Sequence, residues 1–312
     1  YSFGWNENEY DFLSSGSLAG HIIECGTQST GGNFTDWEQV SENLNNIGYP
    51  IVEIESNGLF TCTKSKSSSG IVNIGTVSEQ MLYEIGDPQA YILPDVICDF
   101  SNVELIEIEN NMIQVSGAKG YPSPSDYKVS VTYADGFRGG HLCSFVGIDA
   151  DKKAQVFGDA IFQRSKTIMR AMNIPDFDET SVEVIGSNSQ YSTDIDEKYN
   201  NKEVVLKFAA KHEDIRAIGI MLKESVGLGL ATPPGLSGFA GARPKPSPVV
   251  RLFSFLIPKS KVPIKIIDDK EYDIEVSHGE IYDFNQTIRP SKPEYNDIEE
   301  ELIDVPLIDI AY

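Results

Sequence analysis

The sequence predicts an α+β protein of two mixed α/β units, the second an open sheet with two helices on one face. Three observations lead there. Hairpin patterns and short helical stretches alternate up to residue 120. A Pro-broken stretch, Tyr121-Pro122-Ser123-Pro124-Ser125, then interrupts the chain. After it, strand-like alternation and two apolar helical stripes recur in the order ββαββαβ, which builds a sheet covered by helices. The expected divisions are 1–122, 123–258 and an extended acidic tail or linker over 259–312.

In the first unit, 8–14 and 17–26 read as two short helices, with Ser15 or Ser17 as the N-cap of the second. Ile51 to Glu55 and Leu59 to Thr63 are rich in β-branched residues and flank Asn57-Gly58, which supplies the positive φ of a hairpin turn. Val77, Met81, Leu82 and Ile85 recur at helical spacing over 76–85, with Thr76 as cap and Glu79 closing a capping box. Gly86-Asp87-Pro88 ends that helix. Val103 to Ile108 and Met112 to Val115, joined by Asn110-Asn111, form a second hairpin.

In the second unit, Tyr127, Val129, Val131 and Tyr133 alternate with polar residues, which marks a half-buried strand. Asp135-Gly136 is expected to turn it into a partner strand over 141–148. Ala154, Phe157, Ile161, Ile168 and Met172 line one helix face, and Ile215, Ile218, Leu222 and Val226 line another. Strands are expected near 182–185, 204–208 and 249–257. The Gly/Pro-rich stretch 232–248 reads as a long loop.

Charge narrows the function classes. With 47 acidic against 25 basic residues the net charge is -22, so a phosphate backbone is repelled and nucleic acid is excluded as a partner. No apolar run reaches the length of a membrane span, so no membrane partner is expected. Cys25, Cys62, Cys98 and Cys143 are scattered and form no Cys-x-x-Cys pair. They read as reduced thiols in a reducing, cytoplasmic setting, with Cys98 and Cys143 buried in strands.

One run concentrates chemistry. His21, Glu24 and Cys25 fall at i, i+3 and i+4, which on a helix places them on one face. His with Glu can shuttle protons, and Cys beside a base can act as a nucleophile. Thr30, Gly31, Gly32 and Asn33 follow, a turn whose backbone N–H groups could meet a ligand oxygen. Lys64 and Lys66 sit in a basic, hydroxyl-rich loop up to Gly70, expected at the rim of the same site. Arg138, before Gly139-Gly140-His141, is a further candidate for holding a carboxylate. Each has a plainer reading as core, turn or solvated loop. No metal and no cofactor is expected, because no second His lies nearby and neither a Walker loop nor a dinucleotide fingerprint occurs.

Several blocks in one order resemble the acyclic terpene utilisation protein A family (AtuA). They are Phe3-Gly4-Trp5, Leu18 to Phe34, Gly48 to Ile51, Asn57 to Phe60, Thr76 to Pro88, Tyr91 to Phe100 and Val115 to Gly120. The likeness is dense up to residue 140 or so and thin afterwards. Ser67-Ser68-Ser69-Gly70 stands where the family tends to a Gly-rich Thr-Gly-Gly segment, which weakens an anion-binding role for that loop. The resemblance also implies a chain cut at both ends, since family members carry an α/β region before the Phe-Gly-Trp block, and Val305 to Tyr312 resembles the opening of a further small C-terminal domain.

What the resemblance implies is a metabolic role in catabolism of acyclic isoprenoids or branched acyl-CoA compounds. A lyase or hydratase step by His/Glu acid–base chemistry is the enzymatic expectation. The alternative is a non-catalytic binding or assembly subunit that partners a catabolic carboxylase. A small-molecule substrate such as an acyl-CoA and a homo-oligomeric state are expected in either case.

Overall fold

The computed structural model describes residues 2–187, 189, 202–238, 244–268 and 270–274. The architecture is α+β. The described residues divide into two units, one of residues 2–129 and 255–274 and one of residues 130–254. The acidic stretch 294–301 lies outside the described residues, as does 239–243 of the Gly/Pro-rich loop.

The first unit opens with one continuous helix, α1 (Tyr10–Glu24), not two short ones. Ser17 does not cap a new helix. Its hydroxyl donates to Leu13 O at 2.8 Å, and Gly16 keeps the backbone close to Trp5. After a 3-10 turn, Gly26–Thr30, come β1 (Pro50–Ile54) and β2 (Phe60–Lys64), paired antiparallel around Asn57-Gly58. Helix α2 (Ile74–Leu82) starts earlier than the sequence pattern implies. Asn73 is the cap, accepting from Thr76 N, and Thr76 is the third helical residue of the capping box. Glu79 instead accepts from Thr35 N.

Two short strands, β3 (Tyr91–Ile92) and β4 (Ile97–Asp99), precede the hairpin β5 (Glu104–Glu109) and β6 (Met112–Ser116), and β7 (Lys119–Tyr121) closes the series. The order β1-β2-β6-β5 makes a four-stranded sheet, and β3-β4-β7 a smaller one. Phe60 and Cys62 alternate on β2 and Ile113 and Val115 on β6, and all four are fully buried. They meet Leu18 and Ile22 of α1 and Val77 of α2. Burying each large apolar side chain contributes roughly 1.5–3 kcal/mol. Glu104, Glu107 and Glu109 on the edge strand β5 stay exposed, and charged edges resist pairing with another sheet.

The second unit contains most of β8 (Asp126–Val146), then α3 (Ala150–Ala171), β9 (Glu179–Ile185), β10 (Glu203–His212), α4 (Ile215–Gly227), β11 (Leu236–Gly238) and most of β12 (Ser247–Pro258). The sheet order is β11-β8-β10-β9, with β12 also pairing β8. Asp135-Gly136 is not a hairpin turn. The strand runs through it, with Gly136 at φ +76° close against His212 O. Asp135 is held by Lys211 of β10 at 2.9 Å and by Arg251 of β12, so its side chain ties three strands together.

Alternation on β10 settles the packing. Val204, Leu206, Phe208 and Ala210 are buried on one face, with Cys143 and Phe145 of β8 and Val184 of β9 beside them. Ala154, Phe157 and Ile161 of α3 and Ile218, Met221 and Leu222 of α4 cover that same face. The second unit is therefore an open sheet with two helices on one side. After the short turn Lys259–Lys261, β13 (Ile264–Ile267) and β14 (Glu271–Ile274) pair as a hairpin.

Candidate functional site

The C-terminal end of α1 is organised by its own unpaired carbonyls, which no intrahelical amide can reach. His21 O accepts from Gln80 Nε2 of α2 at 2.8 Å, Ile22 O from the Ser29 hydroxyl, and Ile23 O from Cys25 N. These bonds fix the last turn of α1 against α2 and the Gly26–Thr30 turn. They also hold the backbone that carries His21.

The His21 ring is buried, with its residue only 6% exposed, while Glu24 is 64% exposed. Nδ1 stands 3.3 Å from Glu24 Oε2. Nε2 is enclosed and has no hydrogen-bond partner, and Gln80 Oε1 is buried and unpartnered as well. The Tyr91 ring lies 6.2 Å from the imidazole. Burial pushes the Tyr91 phenol above its ordinary range, and the nearby Glu24, Cys98 and Glu84 add to the shift. This is a buried polar cluster with one open end at Glu24. Cys25 ends the helix, half-buried as a free thiol.

The Thr30–Asn33 turn is bonded mainly to the 3-10 turn that precedes it. Gly31 N donates to Gln28 O at 3.2 Å and Gly32 N to Thr27 O at 2.8 Å. Thr30 is buried, and its hydroxyl lies 2.6 Å from Gly48 O. Asn33, at φ +53°, reaches Gln28 Oε1 at 3.4 Å. The loop that follows Lys64 docks beside this turn: Ile71 N donates to Thr30 O, and Ser69 N to Asn46 O, each at 3.0 Å. Lys64 Nζ donates to Ser68 O at 2.8 Å, within its own loop, and Lys66 is exposed. Arg138 lies on β8 in the second unit. The structure thus brings Thr30 and the Lys64–Gly70 loop together and joins His21 to Glu24.

Among the described residues, no group of three or more His, Cys, Asp or Glu side chains stands close enough to hold a metal ion. Among them also, no helix is long and apolar enough to cross a membrane.

Residues 1–267 match the model of the family described as Acyclic terpene utilisation family protein AtuA. The chain belongs to this family. The match runs through most of the second unit, beyond the region where the sequence motifs are dense. No curated protein and no solved structure matches the chain. Membership in AtuA implies a role in acyclic terpene utilisation.

This AtuA-family chain also carries a groove that sequence reasoning missed. It encloses about 390 Å³ in the first unit, between the start of α1, the Asn57–Leu59 turn and the Ser116–Lys119 segment. Phe12 forms part of it, and its ring stacks on Trp5 at a centroid distance of 5.4 Å. Trp5 Nε1 in turn donates to Ser56 O at 2.8 Å, so the aromatic wall is tied to the hairpin loop. The Ser15 hydroxyl donates to Gly58 O. Lys119 Nζ meets Asp11 Oδ2 at 2.9 Å, and Asp11 Oδ1 accepts from Gly120 N, also at 2.9 Å. These bonds hold the Asp11 carboxyl below its ordinary range against the opposing effect of burial, the largest influence on it. No local motif announces the groove, because its walls lie far apart in sequence.

Proposed function

We propose that the chain acts in the breakdown of acyclic isoprenoids or related branched acyl compounds, CoA thioesters among them, with His21 and Glu24 as a proton-transfer pair in a lyase or hydratase step. The observation that carries this reading is the asymmetry of the His21 ring. One nitrogen faces a carboxylate that can orient it, and the other is left without a partner. In a hydration, Nε2 takes a proton from water as the oxygen adds to one carbon of an activated double bond, and the imidazolium so formed returns that proton to the neighbouring carbon. Elimination is the reverse. Neither direction needs a redox partner. Nε2 is enclosed in the observed conformation, so the reaction requires an opening beside Tyr91 or Gln80.

The test is turnover of an acyclic isoprenoid acyl-CoA by Glu24→Gln and His21→Ala. Both variants are expected to lose roughly 10²-fold or more. Glu24 is exposed, so its variant leaves the fold intact and isolates the chemistry. Undiminished turnover in Glu24→Gln and His21→Ala overturns the reading.

A second reading, a binding or assembly subunit partnering a catabolic carboxylase, is favoured by one specific observation. The Gly31 and Gly32 amides both donate to the protein's own carbonyls. Wild-type protein that turns over no acyl compound alone, yet raises the activity of such a carboxylase, would establish it.

A further inference from the structure

We infer that a second copy of this chain docks on the ribbon that β8 and β12 form in the second unit, by pairing the open edge of β8 with the same edge of the other copy. The ribbon begins where the helix-covered sheet ends. Strand β10 pairs β8 only from Phe137 to Val146, and β11 pairs it only from Cys143 to Phe145. Before Phe137, β12 runs beside β8: Arg251 reaches Asp135, and the Ser247 hydroxyl donates to Arg138 O at 3.5 Å. Among the described residues, no strand pairs the other edge of Ser130 to Ala134.

The ribbon is bare on both faces. Every residue from Ser130 to Ala134 is exposed, and so is every residue from Val250 to Ser254. Successive strand residues point to opposite faces, so neither face is covered there. Among them are Val131 and Tyr133 on β8, and Val250 and Leu252 on β12, which are 62% and 63% exposed. A two-stranded ribbon is marginal in water, and a stable sheet needs three or more strands. Two ribbons joined edge to edge make four.

Charge selects a second copy as the occupant. In a chain of net charge -22, two copies repel wherever their acidic surfaces meet. The ribbon avoids that repulsion. Ser130 to Ala134 carries no charge, and beside it Asp135 and Glu179 are balanced by Lys211 and Arg251. A charged partner finds no unbalanced group there, whereas a second ribbon meets this one without like charges. Strand β5 of the first unit shows the contrast, because exposed Glu104, Glu107 and Glu109 guard its edge against pairing. The side chains also suit a twofold contact. Antiparallel pairing centred on Thr132, the middle of the exposed stretch, sets Val131 of each copy opposite Tyr133 of the other, and Ser130 opposite Ala134. Aromatic and β-branched residues are favourable cross-strand partners.

The experiment is analytical ultracentrifugation of the intact chain from low to high micromolar concentration, with amide hydrogen exchange on the same samples. A dimer is expected, and in it the amides of Ser130 to Ala134 that face the open edge are protected. Val131→Glu with Tyr133→Glu sets like charges opposite each other and should weaken the dimer about 10-fold or more. Val156→Glu with Val226→Glu adds the same charge at exposed positions of α3 and α4 and should leave the dimer intact. Val131→Ile with Tyr133→Phe should dimerise like wild type. Circular dichroism establishes that each variant is folded. A monomer throughout overturns the inference, whether the edge is then unprotected or covered by the chain's own residues. So does a dimer in which Ser130 to Ala134 exchange freely, or one that a folded Val131→Glu, Tyr133→Glu variant leaves unchanged. Because the readout is association, failure here leaves the His21–Glu24 turnover test standing.

Discussion

Gly120 lies directly against the backbone of Tyr10: a Cβ at Gly120 would collide with Tyr10 O. Strand β7 and the first turn of α1 therefore meet backbone to backbone, and the Asp11 bonds to Lys119 and Gly120 N hold them there. A methyl group at this point must push the helix off the strand. Gly120→Ala is expected to lower unfolding free energy by about 1–3 kcal/mol or more, as overpacking does. Gly20→Ala is the control, since its Cβ meets nothing within 4 Å and it lies within α1. It should add about 1 kcal/mol of helix stability. Urea denaturation of the two variants reads the contrast, and equal stabilities would contradict the packing.

The thiols should separate by burial. Cys62, Cys98 and Cys143 are buried, and Cys25 is half-buried at the end of α1. Burial pushes the Cys62 thiol up to about 12 and the Cys143 thiol up to about 11, and it raises Cys98 as well. The thiolate is the reactive form, so these three stay inert at neutral pH. A thiol reagent on native protein is expected to modify Cys25 first and to reach the others only on unfolding. Cys25→Ser should abolish the fast phase. A fast phase that survives in Cys25→Ser would refute this.

The hairpins were legible because their signals are local. Asn57-Gly58 and Asn110-Asn111 adopt positive φ at Gly58 and Asn111, and the flanking residues prefer strands. The helices of the second unit were legible from apolar periodicity. The misreadings share a cause, which is that a tertiary partner claimed the residue. The expected break between 14 and 17 is absent, and Gly16 makes room there for Trp5. Glu79 looked like the closing residue of a capping box, but Thr35 N takes it, and Asn73 caps α2. Asp135 looked like the start of a turn, but Lys211 and Arg251 keep it in a strand.

The candidate site was legible only in its nearest neighbours. The i, i+3 spacing of His21 and Glu24 is a contact that one helical turn guarantees. Gln80 and Tyr91 reach His21 from other elements, and nothing in the local pattern points to them. The groove is still less readable, since it is assembled from three segments that only the fold brings together.

Acid should weaken α4 at its start. Asp214 caps the helix, accepting from Arg216 N at 2.8 Å, and its carboxylate meets the Arg216 guanidinium. The Arg216 side chain, then its amide, hold the Asp214 carboxyl down at about 2, against 3.8 for the free group. A depressed folded value means the stabilisation is fully present above 3.8 and is lost as pH falls through about 2. Asp214→Asn removes the titration but keeps a capping oxygen. The stability difference between wild type and Asp214→Asn is expected to shrink across that window. A difference that stays constant there would exclude the assigned role.

Lys259 tests whether a buried cation is tolerated for its contacts. It is 5% exposed, its Nζ donates to Pro94 O at 2.7 Å, and the ammonium lies 5.3 Å from the Tyr127 ring centroid. Burial lowers its ionisation range from 10.5, with Asp95 and Asp126 pulling the other way. A lysine whose folded value is depressed opposes folding while it is charged. That opposition lifts as pH rises from the folded value towards 10.5. Lys259→Met keeps the apolar stem but strands the Pro94 carbonyl, a cost of about 1–3 kcal/mol. Lys259→Ala strands the same carbonyl and also loses the packing of the stem. The expected order of stability at neutral pH is therefore Lys259→Met above Lys259→Ala. Between neutral pH and 10.5, wild type should gain stability relative to Lys259→Met, because only wild type carries a proton to lose at this site. Thermal unfolding across that range decides the matter, and a relative loss by wild type would show that the ammonium, not the neutral amine, is the form the fold prefers.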